Sequence, residues 1–261
     1  MNSDVAVFLI AFDEAFSDLD MVKENALAII RDELRRKVRP GILATGSMSD
    51  PYNPFEKELC LTRHALELVN ACDFGVTIAT KSPLVSRDID ILKEIAVHSP
   101  VLVKITITAA DDALSRKIEP HAAVSGERFA ALKTLSENKI TCGVLLMPVL
   151  PFITDTDENV LGIVKMAQNA GARFIYPAFG MTLRQGQREY FYRQLNRLFP
   201  GMKEQYQARY GNTYSCASPR AKALRSLFSA ACDKAGLLYR MEEIIRCYQM
   251  GYGDRQLTFF T

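Results

Sequence analysis

The chain has 261 residues, 32 Lys+Arg against 30 Asp+Glu and a formal net charge of +2; 48% of it is hydrophobic and 24% charged. Those proportions exclude a disordered or collagen-like chain, and the length suits one large domain or two small ones with a sizeable core. No apolar stretch approaches the ~20 residues that a membrane span needs. The opening MNSDVAVFLIAFDEAF lacks the basic start of a secretory signal. Six scattered cysteines then point to free thiols in a reducing cytoplasm. The composition suits a soluble globular protein, which is expected to be monomeric.

Taken in chain order, Gly and Pro punctuate a repeating pattern. A helix is predicted over residues 22–37 and is stopped by Pro40-Gly41. Strands are predicted at 42–45, 75–80, 101–108, 140–147 and 173–177. Helices are predicted between them at 55–70, 84–98, 125–138 and 155–170. This alternation implies a parallel sheet with right-handed crossovers. A doubly wound sheet and a (β/α) barrel both satisfy it. No G-x-G-x-x-G follows the first strand, which argues against a dinucleotide site. Beyond residue 180 the predicted elements are helices at 185–199, 202–210, 219–235 and 239–251. Two regions follow: a (β/α) core over 1–180 and a helical extension over 181–261.

Charge divides along the same line. Residues 181–261 carry 13 Lys/Arg against 6 Asp/Glu, whereas residues 1–180 carry 19 against 24. A basic C-terminal third can face a polyanion such as nucleic acid, or can be an arginine-rich solvated surface.

In parallel α/β architectures, sites form at the C-terminal ends of strands. Those ends carry Thr45-Gly46-Ser47-Met48-Ser49-Asp50, then Lys81, then Thr106 and Thr108, then Glu119-Pro120-His121, and Met147-Pro148. Lys81 is the most pointed, since an ammonium at the end of a buried strand must find an anion or water. Asp50 before Pro51 also suits a turn. The cysteines Cys60, Cys72, Cys142, Cys216, Cys232 and Cys247 include no pair at metal-ligand spacing. His64, His98 and His121 show no H-x-x-x-H pairing, and the aromatic run Tyr190-Phe191-Tyr192 is expected in a core.

The ordered blocks TGSMSDPYNPFEKELCLTRHALELV (45–69), TKSPLVSRDIDILKEI (80–95), KITITAADDALSRKIEPHAAVSGERFAALKTLSENKI (104–140) and GVLLMPVLPFITDTDEN (143–159) resemble the radical S-adenosylmethionine (radical SAM) superfamily. The branch is the spore photoproduct lyase-like, DNA repair photolyase-related group. The resemblance implies a partial, TIM-like (β/α)6 barrel. It also implies S-adenosylmethionine and a 4Fe–4S cluster as cofactors, reductive cleavage of the former to a 5′-deoxyadenosyl radical, and DNA as a candidate partner. Carried over by position, Thr45, Gly46, Ser47 and Asp50 fall where the family binds the methionyl amino group. Lys81, Thr106, Thr108 and Arg128 fall where related barrels hold carboxylate and ribose, and Met147 and Pro148 where adenine rests.

One part of the pattern is missing. The family's C-x3-C-x2-C loop follows its first strand, upstream of the first predicted helix here, and no cysteine precedes Cys60. Without three thiolates a cluster has no holder. The expectation is a barrel incomplete at its N-terminus, cut short and inactive as it stands, with the apolar run 5–12 serving as a substitute strand. The alternative is a cluster-free, non-catalytic relative that binds a nucleotide, nucleic acid or protein.

Overall fold

A computed structural model describes residues 25–252 except Met48. The proposed substitute strand at 5–12 lies outside the described residues.

Five parallel strands form the central sheet: β1 (Ile42–Thr45), β2 (Gly75–Thr80), β3 (Val101–Thr106), β4 (Cys142–Leu146) and β5 (Phe174–Pro177). Their order in the sheet is β1-β2-β3-β4-β5, each paired in parallel with the next. That order decides between the two architectures left open by the pattern. Right-handed crossovers between consecutive neighbours put every connecting helix on the same face. A doubly wound sheet reverses direction at a switch point, and this one does not. The sheet is an arc of a barrel.

Alternation along the strands shows the same one-sidedness. Val101, Val103 and Ile105 of β3, Val76 and Ile78 of β2, and Cys142, Val144 and Leu146 of β4 enter the main core against the helices. The helices are α1 (Ala26–Arg36), α2 (Glu56–Leu59), α3 (Leu61–Ala71), α4 (Ile89–His98), α5 (Asp112–Ile118), α6 (Ser125–Glu137) and α7 (Asp157–Asn169). Residues of the opposite parity face the concave side, where the cleft described below begins.

The predicted helix over 55–70 is in fact two, α2 and α3, broken at Cys60 with φ of 50°. The Glu56 carboxylate causes the break. It accepts from the backbone N–H of Thr62 (2.9 Å) and of Arg63 (3.3 Å), so it caps α3 from within the preceding turn. The strands predicted at 101–108 and 140–147 are shorter than expected. Helix α5 was not expected at all; its N-cap is Asp111, which accepts from the Leu114 N–H at 2.7 Å.

After β5 the chain adds β6 (Gly180–Thr182), α8 (Gln185–Leu198), α9 (Met202–Tyr210) and β7 (Ser215–Ala217). β6 and β7 pair antiparallel, an element absent from the expected all-helical extension. Phe191, Tyr192, Leu195, Tyr206 and Tyr210 form a second core there with Ala109, Ile118 and Leu150. The chain then returns to the barrel. Helix α10 (Ala221–Ala235) puts Leu224, Phe228 and Cys232 into the main core. Leu238 makes a parallel bridge to Phe174, extending the sheet by one position beyond β5. Helix α11 (Met241–Gln249) closes the lower concave face, where Ile244 packs with Leu102 and Phe174. Among the described residues no helix is long and apolar enough to cross a membrane.

Candidate functional site

The C-terminal ends of β1, β2, β3 and β4 open into a cleft of about 780 Å³. Gly46, Ser47, Asp50, Lys81 and Thr106 line it together with Ala79, Thr80 and Leu145. One wall comes from α8, which brings Tyr190, Gln194 and Arg197.

Gly46 lets the loop after β1 lie against the end of β2. Its φ is +84°, and a Cβ there would stand 1.9 Å from the Ala79 carbonyl oxygen. Only glycine accepts that backbone conformation and that approach. Asp50 then staples the loop to β2. Its Oδ1 accepts from the Tyr52 N–H (2.9 Å) and the Thr80 hydroxyl (2.6 Å), and its Oδ2 accepts from the Lys81 N–H (2.7 Å). Three donors leave this carboxylate little capacity for a ligand amine.

Behind the loop lies a buried ionic cluster. The Tyr52 hydroxyl donates to Asp88 (3.0 Å), and Arg87 reaches both Glu56 (2.6 Å) and Asp88 (2.8 Å). Glu56, Tyr52 and Asp88 are buried. Desolvation, then the neighbouring Asp88 charge, hold the Tyr52 phenol far above its usual range.

Lys81 has found its anion within the chain. Its Nζ lies 2.9 Å from Glu119 Oε1, and Glu119 Oε2 lies 2.7 Å from Arg128 Nη2. Glu119 and Arg128 are 3% and 0% exposed at the side chain, Lys81 17%. Two cations share one carboxylate, so the cluster retains a net positive charge. Lys81 also has more N–H groups than the one that Glu119 can engage. A ligand carboxylate fits that remainder.

The other expected site residues lie elsewhere. Arg128 is wholly buried and does not line the cleft; it donates to the carbonyls of Ala123 (2.7 Å) and Thr106 (2.9 Å) and so fixes the end of β3. Thr45 has the parity of Leu43, which packs on the main core, so it belongs to the helix side of β1. Thr108 is buried, and its hydroxyl makes no hydrogen bond, as does that of Thr45. Met147 and Pro148 follow β4 without lining the cleft; Leu145 lines it instead. Strand parity was the signal that could have found Leu145. Nothing local pointed to α8.

Four exposed cations ring the mouth: Lys57 on α2, Arg116 and Lys117 on α5, and Arg197 on α8. Lys117 Nζ sits 4.2 Å from the centroid of the Phe199 ring. The carboxylates of the cleft, Asp50, Glu119 and Glu127, are all engaged by the chain itself.

The residues present do not fit a 4Fe–4S cluster. Such a cluster takes cysteine thiolates, and none of the six cysteines lines the cleft. Cys60 lies behind the loop, 3.7 Å from the Arg87 guanidinium, and Cys142, Cys216 and Cys232 are buried in cores. Among the described residues no three His, Cys, Asp or Glu side chains gather as metal ligands.

No protein-family model matches the chain. It is 30% identical over 191 residues to an uncharacterized protein of Mycobacterium tuberculosis, covering 73% of this chain and 56% of that one. It is 35% identical over 149 residues to an uncharacterized protein of Methanocaldococcus jannaschii, covering 57% and 54%. The chain thus spans about half the length of the curated relatives it matches. Among solved structures it shares its fold with spore photoproduct lyase. A variant of that enzyme with bound AdoMet and dinucleoside spore photoproduct superposes with a TM-score of 0.59 at 13% identity, covering 82% of this chain and 66% of that one. A second complex with the dinucleoside photoproduct gives 0.60 at 13%, covering 81% and 64%.

Proposed function

We propose that the cleft is an S-adenosylmethionine site in a radical SAM-type barrel of the spore photoproduct lyase-like branch. We further propose that these 261 residues bind the molecule without cleaving it. The observation that carries the first reading is the Lys81–Glu119–Arg128 cluster at the end of β2, a surplus of positive charge whose Lys81 and Glu119 line the cleft, in a fold shared with an enzyme that carries bound AdoMet. Lys81 would hold the methionyl carboxylate, the Gly46–Asp50 loop would pass beside the methionyl end, and Thr106 and Leu145 would floor the nucleoside. S-adenosylmethionine bound there supplies an adenosyl group on an electrophilic sulfonium. The second reading rests on the thiols. With no three of them at the cleft, no step of reductive cleavage is assigned to this chain. The exposed ring of Lys57, Arg116, Lys117 and Arg197 suits a polyphosphate lying across the mouth, and DNA is the partner proposed for it.

Isothermal titration of S-adenosylmethionine into the chain tests the first reading. Lys81→Met is expected to weaken binding about tenfold, roughly 1.4 kcal/mol. Absence of binding, or equal binding by the variant, overturns it. Anaerobic reconstitution with iron and sulfide tests the second. No 5′-deoxyadenosine is expected on reduction, and its formation in stoichiometric yield overturns the reading.

A further inference from the structure

One charged residue stands inside the sheet. On β3, Val101, Val103 and Ile105 face the helices, which leaves Leu102, Lys104 and Thr106 to the concave side. Register sets Lys104 beside Ala79 on β2 and Gly143 on β4. Those neighbours offer a methyl group and a hydrogen, so neither is a partner for an ammonium. Below Lys104, Leu102 packs against Phe174 and Ile244. Ala79 beside it, and Thr106 and Leu145 above it, line the cleft, which Lys104 itself does not. Phe174 packs closely on Gly143, where a Cβ would lie 2.4 Å from the Phe174 carbonyl oxygen and 2.5 Å from its ring.

Lys104 is half-buried. Among the described residues its amine makes no hydrogen bond and no ion pair. Desolvation, the one cause acting on it, lowers its pKa from the ordinary 10.5. This position contrasts with Lys81, one residue past the end of β2, whose amine Glu119 already holds. A half-buried cation without a partner costs free energy that Met or Leu in the same place would not. Its natural partner is an anion that enters from outside the chain.

We propose that Lys104 is the anion-binding group of a second subsite, between the apolar plug under α11 and the floor of the cleft, which takes a carboxylate or phosphate oxygen of a molecule reaching past Ala79. This rests on the cleft being a ligand site, as above, and not on S-adenosylmethionine being its ligand. Lys81 follows the end of β2 and Lys104 lies within neighbouring β3, at different depths. They therefore divide two anionic groups, one at the rim of the sheet and one inside it.

The test uses the full chain and maps acetylation of each lysine by mass spectrometry, with exposed Lys133 as internal reference. Inorganic phosphate and acetate are the probes. A probe present at about twice its Kd is expected to slow acetylation of Lys104 about threefold, with Lys133 unaffected. Slowing by phosphate alone assigns a phosphate subsite, slowing by acetate alone a carboxylate subsite, and slowing by both a general anion site. Unchanged acetylation of Lys104 with either probe at saturating concentration overturns the proposal. Lys104→Met provides a second readout. It is expected to melt at the same or a higher temperature than the unaltered chain, because removing an unpartnered charge relieves a cost. A lower melting temperature marks the lysine as structural and overturns the proposal as well. Titration of S-adenosylmethionine separates the two readings. The Lys104→Met chain should bind it as the unaltered chain does. Failure of the unaltered chain to bind it removes the cofactor reading and leaves protection of Lys104 standing.

Discussion

At the scale of single residues, side chains that could have acted on a ligand are often committed to the fold. Asp50 spends its oxygens on three donors across the β1 and β2 ends, and Arg128 spends its guanidinium on two carbonyls and Glu119. The strand-end positions were legible in the sequence; which way each side chain faces was not, except through parity. Lys81 shows both sides of this. The need for an anion followed from its place at the end of a buried strand, but the anion's identity, Glu119, lies 38 residues away by numbering and only the folded chain brings it there. The thiols carry a prediction at this scale. Burial pushes Cys142 and Cys232 from an ordinary 9.0 up to about 12, and raises Cys216 as well. Thiols, unlike thiolates, are poor nucleophiles. Alkylation with iodoacetamide at neutral pH, mapped by mass spectrometry, should therefore modify Cys60, Cys72 and Cys247 in the native chain and the buried three only after unfolding. The sign of the pH effect follows. The folded state keeps these protons to higher pH than the unfolded one, so their contribution is intact below about 9 and is lost as pH rises towards about 12. A chain with Cys142→Ala and Cys232→Ala should show a shallower loss of stability across that window in denaturant titrations.

At the scale of elements, the segment from Asp50 to Ala71 is the most instructive. Its apolar spacing read as one helix, and a helical periodicity is indeed present on both sides of Cys60. The break comes from a tertiary fact. Arg87, beyond β2, draws the Glu56 carboxylate inward, and the same carboxylate caps α3. No window along the sequence contains both partners. Glu56→Ala should cost about 2 kcal/mol, since it leaves a half-buried arginine with Asp88 as its remaining carboxylate and removes a cap. Arg87→Ala should cost a similar amount. The double variant should fall short of the sum by about 1–3 kcal/mol, as contacting residues do. Urea unfolding of the four chains measures this, and strict additivity would show that the pair does not act as a unit.

At the scale of the whole molecule, strand alternation was readable and architecture was not. A βα repeat fits either a doubly wound sheet or a barrel, and what separates them is which strand lies beside which, a property of long-range pairing. The return of the chain to the barrel after residue 180 was also hidden, because Leu238 pairs by a single bridge and carries no strand signature. Helix α11 makes a prediction at this scale. Ile244 is 4% exposed and seals Leu102 and Phe174 from below. Ile244→Asp buries an unpaired charge or expels the helix. Either outcome should lower the melting temperature by several degrees and raise binding of a hydrophobic dye. An unchanged melt and no dye binding would show that α11 is dispensable to the barrel.

The order of the strands has a further consequence in time. Because β1 to β5 lie side by side in the order of synthesis, each βα unit finds its neighbour already made when it leaves the ribosome. The arc can assemble progressively, without waiting for a distant strand. Its lower concave face is different. Leu102 and Phe174 gain their cover from α11, which is made only after α8, α9 and α10. Until that helix emerges, the nascent barrel presents an apolar hollow, and that interval is when a chaperone has most to hold.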